Sequence, residues 1–304
     1  MNQRTGNTVW MKLENLQRTG SFKLRGAYNK ISQLTDLECK RGIIAASAGN
    51  HAQGVALAGK EKGVQVTIFM PTTTPSSKVS ATREYGARVE LVGETFDEAY
   101  EAACIQQEKT GATFVHPFND MTIIEGQATV ALEMLQQKPD LEVILVPAGG
   151  GGLLAGTALA VKAIRPDVKV IGVQAASAPA IASAYHGLDE RLIPFNPTIA
   201  EGIKVKFPGS YTTEIIKSHV DDMITVSEAE IANAILFMLE REKLLVEGAG
   251  AAGVAALLSH HLPAKDLKIG VVVSGGNFDV AKLEDCRKII ENDHANKKRE
   301  QYII

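Results

Sequence analysis

Four consecutive glycines, Gly149, Gly150, Gly151 and Gly152, follow the apolar run Val143 to Pro147 and open a helical pattern at Leu153. Backbone N–H groups without side chains can approach an anion closely, and a helix start adds positive potential. This spacing suits a phosphate cradle; the bland alternative is a tight turn for close helix–sheet packing. A dinucleotide loop would want an acidic residue about 20 positions on, at the end of the next strand. That place holds Gln174. The glycine-rich loop ending in Lys-Ser or Lys-Thr that cradles nucleoside triphosphates is absent. A single phosphate on a small cofactor fits better.

Lys23 is the second chemical candidate. It sits in Thr19-Gly20-Ser21-Phe22-Lys23-Leu24-Arg25-Gly26-Ala27. Ser21 is placed to cap a helix running towards Leu34, which puts Lys23 in the first turn. A cation there faces the wrong end of the macrodipole, and on an open surface it would simply be solvated. If it is partly buried, desolvation and the dipole both favour the neutral amine. That is the form Schiff-base chemistry requires. Two more turns of small polar residues stand out, Ser47-Ala48-Gly49-Asn50-His51 and Ser274-Gly275-Gly276-Asn277.

The elements that must position these groups alternate. Strands are expected at Gly42 to Ala46, Val64 to Met70, Ala87 to Val92, Val143 to Val146, Val168 to Val173 and Ile269 to Val273. Helices are expected at Asn50 to Lys62, Ser76 to Tyr85, Phe96 to Thr110, Leu153 to Ile164, Glu228 to Lys243 and Ala249 to His260. Short β-branched runs alternating with helices imply parallel sheets covered on both faces. Ligands of such sheets bind beyond the carboxyl ends of the strands, so the three turns could converge on one site.

Composition narrows the class. The chain has 304 residues, 45% hydrophobic and 22% charged, with a net charge of −3. That is ordinary globular composition and offers no electrostatic case for nucleic acid or an anionic membrane. No apolar run would span a bilayer, and the start lacks the core of a signal peptide. Cys39, Cys104 and Cys286 are too few and too scattered for a disulfide framework or thiolate metal site. No metal site is expected, and a cytoplasmic location is.

In order, SFKLRGA, SAGNHAQG, the GGGG loop and SGGN resemble the fold-type II pyridoxal 5′-phosphate (PLP) enzymes. Within them the chain is similar to the threonine/serine dehydratase family, in its short catabolic form, over roughly Val9 to Val280. The resemblance implies two parallel-sheet α/β domains with the cofactor in the cleft between them. Residues 42–119 would form a small substrate-loop domain, and 1–41 with 120–304 a large PLP-binding domain. It implies that Lys23 holds PLP and acts as the base at Cα, and that Phe22 packs against the cofactor ring. Asn50 would bond the phenolic oxygen, and Gly149, Gly150, Gly151, Gly152 and Leu153 the phosphate. Ser274 would meet the pyridine nitrogen. Ser47, Ala48, Gly49, Asn50 and His51 would wrap the substrate carboxylate, largely through backbone N–H groups. The implied reaction is elimination of water and then ammonia from a small hydroxy-amino acid, by a homodimer or homotetramer. Serine racemisation on the same scaffold is the nearest rival; a nicotinamide-dependent dehydrogenase or an inactive ligand-binding relic are remoter ones.

Three departures from the family pattern carry expectations. An N-terminal segment usual before Val9 is missing. The positions that bind a divalent cation in some members fall on Gln174 and Ala180, so that site is expected to be absent or altered. A segment usually read as IADG is Ile199-Ala200-Glu201-Gly202 here, with a longer carboxylate. The chain also ends at Ile304, too soon after Asn277 for an appended regulatory domain, so no response to isoleucine is expected.

Overall fold

The computed structural model describes residues 1–188, 193–262 and 264–301. Among the described residues, nine strands form two wholly parallel sheets. In chain order they are β1 (Thr8–Leu13), β2 (Ile43–Ala46), β3 (Val66–Met70), β4 (Arg88–Leu91), β5 (Thr113–Phe114), β6 (Val143–Pro147), β7 (Lys169–Ala175), β8 (Asp222–Val226) and β9 (Lys268–Val273). The larger sheet runs β1-β9-β6-β7-β8, the smaller β4-β3-β2-β5.

The β-branched runs are explained by burial on both faces. Successive strand residues point to opposite sides. On β6, Val143 and Leu145 enter one core with Val271, Ile231 and Ile235, while Ile144 and Val146 enter another with Val272, Leu154 and Ile181. The smaller sheet repeats this: Ile43 and Ala45 face Val55, Ile68 and Met70, while Ile44 and Ala46 face Phe69 and Ala103. The helix Lys23–Ser32 belongs to the first of these two layers, through Leu24, Ala27 and Ile31.

That helix is held at both ends of its contact surface. Gly26 crosses the helix Met121–Gln137 at Gly126, so closely that a Cβ on Gly126 would stand 2.6 Å from the Gly26 Cα and 2.7 Å from the Arg25 carbonyl. Arg25 donates two hydrogen bonds to Glu14 at 2.8 Å, and two to Glu133 at 2.7 and 2.8 Å. Glu14 is only 2% exposed. Its charge needs this planar, bidentate partner to be tolerated there. The Arg25 bond also holds the Glu133 carboxyl down at about 2.

Several expectations need correction. Ser21 does not cap the Lys23 helix: the residue at the cap is Phe22, with no side-chain bond, and the Ser21 hydroxyl is buried without a partner. A tertiary contact decides this, because Ser21 bridges Gly275 and the Phe22 N–H donates to the Ser274 carbonyl at 3.1 Å. The helix expected at Glu228 to Lys243 is α-helical only to Phe237, continues as a π turn over Met238–Glu242, and stops at Lys243 in the left-handed region (φ 61°). Strand β8 and the helices Met121–Gln137, Ser210–His219 and Leu283–Gln301 lie outside the expected set. The first of these helices is capped by Asp120, which accepts from the N–H groups of Thr122 and Ile123.

Gly126→Ala tests the crossing. Alanine has the better helix propensity, by about 1 kcal/mol. Overpacking against backbone costs about 1–3 kcal/mol and should win. A urea midpoint lowered accordingly is expected; an unchanged or raised midpoint would contradict the close approach.

Candidate active site

Lys23 begins its helix where the ends of the two sheets meet. Its Nζ donates to the Pro117 carbonyl at 2.7 Å and lies 5.3 Å from the centre of the Phe22 ring. The residue keeps some contact with solvent, but its amine is strongly desolvated. Burial pushes the amine down to about 8, and the nearby Glu247 carboxylate resists that shift. About a tenth of the amine is therefore neutral at pH 7, and about half at pH 8, far more than for an ordinary lysine.

Pro117 belongs to the short segment between β5 and the helix Met121–Gln137, and this segment touches Lys23, His51 and the glycine loop. Val115 offers its carbonyl to the His51 ring at 2.8 Å. His116 Nδ1 accepts from the N–H groups of Phe118 and Asn119. Phe118 lies against the glycine loop, where a Cβ on Gly150 would overlap its ring. Asn119 accepts from the Tyr211 N–H at 3.0 Å. Burial, then the Lys23 charge, lower His51 to about 3 and His116 to about 4, so both rings are neutral at ordinary pH.

The turn after β2 leads into the helix Asn50–Lys62. Gly49 precedes the helix with no side-chain cap, and the Ser47 hydroxyl accepts from the Gly49 N–H at 3.2 Å. The first-turn N–H groups have no partner within the helix. A Cβ on Gly49 would meet nothing within 4 Å, so this turn faces open space. The His51 ring, in contrast, is turned inward to Val115 and offers the cleft only its backbone.

The turn after β6 presents Gly151 in the left-handed region (φ 93°), and Gly152 starts the next helix. A Cβ on Gly149 would come within 2.8 Å of the Ile203 Cα, and one on Gly152 within 3.1 Å of Phe118 backbone. Thr212 donates to the Gly150 carbonyl at 2.7 Å. Close packing and a bare backbone at a helix start are thus combined in one loop. Leu153, the next residue, is buried.

The turn after β9 closes the arrangement. Ser274 is 3% exposed and anchors Phe22 through its carbonyl. Asn277 Nδ2 donates to the Thr19 carbonyl at 2.8 Å and to Asn50 Oδ1 at 2.7 Å. Asn50 Nδ2 in turn donates to Glu247 Oε1 at 2.7 Å. The structure therefore brings Lys23, the Ser47–His51 turn, the glycine loop and Ser274 to one place. Sequence reasoning missed Glu247, Pro117 and Phe118. Glu247 lies between an ordinary Leu245-Val246 pair and a glycine-alanine helix, with no motif around it.

Two expected departures are also placed. Gln174 is fully buried and its Oε1 accepts from the Ala182 N–H at 2.9 Å. Among the described residues no cluster of three or more His, Cys, Asp or Glu side chains is set to hold a metal. Glu201 pairs with Lys282 and, at 3.4 Å, with Lys78, so it is tied from two sides. Among the described residues, no helix is long and apolar enough to cross a membrane.

Comparison with known proteins bears on this geometry. Residues 1–275 match the model of a family described as pyridoxal-phosphate dependent enzyme. An L-threonine ammonia-lyase of Thermotoga maritima is 55% identical over 285 residues, 93% of this chain and 71% of that protein. The processed form of threonine deaminase isoform 2 from Solanum lycopersicum superposes with a TM-score of 0.89 at 38% identity, covering 94% of this chain and 80% of that one. Maize serine racemase superposes with a TM-score of 0.88 at 36% identity, covering 96% and 91%. The similarity of backbone thus extends to proteins named for two different reactions.

The state of Lys23 can be measured directly. Reductive methylation of the apoprotein across pH, followed by peptide mapping, should show Lys23 becoming reactive with a midpoint of about 8. Ordinary lysines titrate at about 10.4. A Lys23 midpoint at that ordinary value would mean the amine is not desolvated.

Proposed function

The chain belongs to the pyridoxal-phosphate dependent enzyme family, and from that footing we propose that it deaminates L-threonine to 2-oxobutanoate and ammonia, with L-serine going to pyruvate and ammonia. The observation that carries this reading is the Lys23 amine, lowered to about 8 where three strand-end turns meet. The residues present fit the cofactor. A desolvated primary amine can bond its aldehyde carbon. The unpartnered N–H groups from Gly150 to Leu153 suit its phosphate. Ser274 suits its ring nitrogen, and Phe22 its ring face.

When bound, the cofactor supplies an electron sink that makes the Cα proton of the amino acid removable. Lys23 Nζ takes that proton, which requires the neutral amine that burial favours. The Ser47, Ala48, Gly49, Asn50 and His51 turn binds the substrate carboxylate with backbone N–H groups at a helix start. Asn50 would donate to the cofactor's phenolic oxygen. Ser274 is a neutral partner for the ring nitrogen, unlike an aspartate, and so leaves less positive charge there. That choice favours prompt loss of the β-hydroxyl. Pro117 holds the Lys23 amine in register by accepting its hydrogen bond. In this reading residues 42–119 form the unit that carries the substrate turn, and 1–41 with 120–304 the unit that carries the cofactor. The same reading extends to a cytoplasmic homodimer or homotetramer.

The racemase reading differs at one position. Racemisation needs an acid–base group opposite Lys23, and Ala48 offers a methyl group in front of Gly49. The neighbouring Ser47 hydroxyl is engaged by the Gly49 N–H. Elimination therefore fits this turn better than inversion.

Two experiments test the function. Borohydride reduction of the PLP-loaded enzyme, followed by peptide mapping, should place the label on Lys23, and Lys23→Ala should abolish 2-oxo acid release from threonine. A label on Lys30, Lys78 or Lys204 would overturn the assignment. In a chiral assay the unaltered enzyme should make pyruvate from L-serine with little D-serine. Ala48→Ser should gain D-serine formation, since a placed acid–base group contributes about 10²–10⁴-fold. D-serine formed as fast as pyruvate by the unaltered enzyme would replace the dehydratase reading with the racemase one.

A further inference from the structure

We propose that Glu247 is a positioning residue whose carboxylate fixes the Asn50 amide so that one N–H of Asn50 is left to donate into the cleft. The inference rests on the cofactor reading above, which gives Asn50 an anionic oxygen to meet.

The two ends of an asparagine amide have nearly the same shape, so neighbours decide which way it faces. Here both neighbours demand one orientation. The Thr19 carbonyl can only accept, so it draws Asn277 Nδ2 to itself at 2.8 Å. The second hydrogen of Asn277 Nδ2 goes to Asn50 Oδ1 at 2.7 Å. On the other side Glu247 Oε1 takes one hydrogen of Asn50 Nδ2 at 2.7 Å. An ionised carboxylate can only accept, so it rejects the flipped amide. Asn277 has then used both its hydrogens, and Asn50 keeps one. Flipped, Asn50 would turn an oxygen towards the anion it is meant to hold.

Glu247 is well placed to be sensitive to pH in this role. It begins the helix Gly248–Leu258, and its N–H donates to the Gly275 carbonyl at 3.1 Å. Charged groups face it from three other elements: Lys23, Lys78 from the helix Ser76–Glu84, and Glu201 from the turn Glu201–Ile203. Glu201 is itself tied to Lys78 and Lys282. Burial pushes the Glu247 carboxyl up to about 7, against the Asn50 bond and the lysines. Above that pH it accepts only. Below it, the acid can turn an O–H towards Asn50, so the carboxyl no longer rejects the flipped amide and the orientation rests on the Asn277 bond alone. Lys23 titrates nearby at about 8, so only comparison with a variant isolates Glu247.

The test is absorbance titration of the apoenzyme with pyridoxal phosphate at several pH values, for the wild type and Glu247→Gln. Glutamine is a neutral isostere that can accept or donate, and it does not titrate. The variant should bind about tenfold more weakly at pH about 8, since a charge-assisted hydrogen bond is roughly twice as strong as a neutral one. The ratio of the two affinities should fall towards one at pH about 6. A ratio that stays constant with pH, or a variant that binds as well as the wild type, would overturn the proposal and leave the cofactor reading standing. Wild-type enzyme that binds no pyridoxal phosphate at any pH would sink both. Asn277→Ala, which removes the other orienting bond, should weaken binding at pH about 8 while keeping the wild-type pH dependence; tight binding by this variant would also count against the mechanism. Melting of the apoenzyme gives a readout independent of the cofactor. A carboxyl raised from 4.5 to about 7 on folding loses stability as pH rises through that interval. The melting temperature of Glu247→Gln minus that of wild type should therefore grow from pH about 4.5 to about 7 and then level off. A flat difference would show that Glu247 does not hold its proton there.

Discussion

The Lys23 amine is held out of water with a neutral acceptor, and the packing around its helix depends on that arrangement. Desolvation alone would leave the amine unpartnered and mobile. The Pro117 carbonyl gives it one acceptor at 2.7 Å without adding a charge. A carboxylate in that place would pair with the ammonium and raise its pKa again. Glu247 acts on the amine, but only as the lesser influence beside burial.

The helix that carries Lys23 is fixed by groups that do no chemistry. The Phe22 N–H is tied to the Ser274 carbonyl, so the start of the helix is set by the end of β9. Two residues on, Arg25 locks to Glu14 and Glu133, and one further, Gly26 lies against Gly126. A charged network with four short bonds on one guanidinium costs desolvation, but it defines an orientation better than apolar contact alone. The segment Val115 to Asn119 does the equivalent work from the other side. It leaves the smaller sheet after β5 and passes His51, Lys23 and the glycine loop in turn. Any shift between the two sheets would be felt by the amine, the Ser47–His51 turn and the glycine loop at once.

Much of this was legible in the residues themselves. The β-branched runs needed burial on both faces, and parallel sheets are the arrangement that supplies it. That argument located β2, β3, β4, β6, β7 and β9 to within a few residues. The glycine run, the lysine and the two small-residue turns were visible because their chemistry is local. A bare backbone binds an anion through its own N–H groups, and glycine and small polar residues mark such a backbone wherever it occurs.

What only the tertiary structure decided has the opposite character, because it depends on partners remote in the chain. Ser21 reads as a cap, yet its pairing with Gly275 removes it from that role. Glu247 has no motif, and it matters only because Asn50, 197 positions away, donates to it. Pro117 contributes a carbonyl, which every residue possesses, so no side-chain pattern could have announced it. The inward facing of the His51 ring, which leaves only its backbone towards the cleft, is set by the Val115 carbonyl, 64 positions away. The sequence by itself determined the fold class and the family of chemistry, since patterning and backbone-binding turns are local properties. The protonation of Lys23, the orientation of Asn50 and the burial of Glu247 were decided by folding, since a pKa or an amide's facing is set by whatever groups the fold brings alongside.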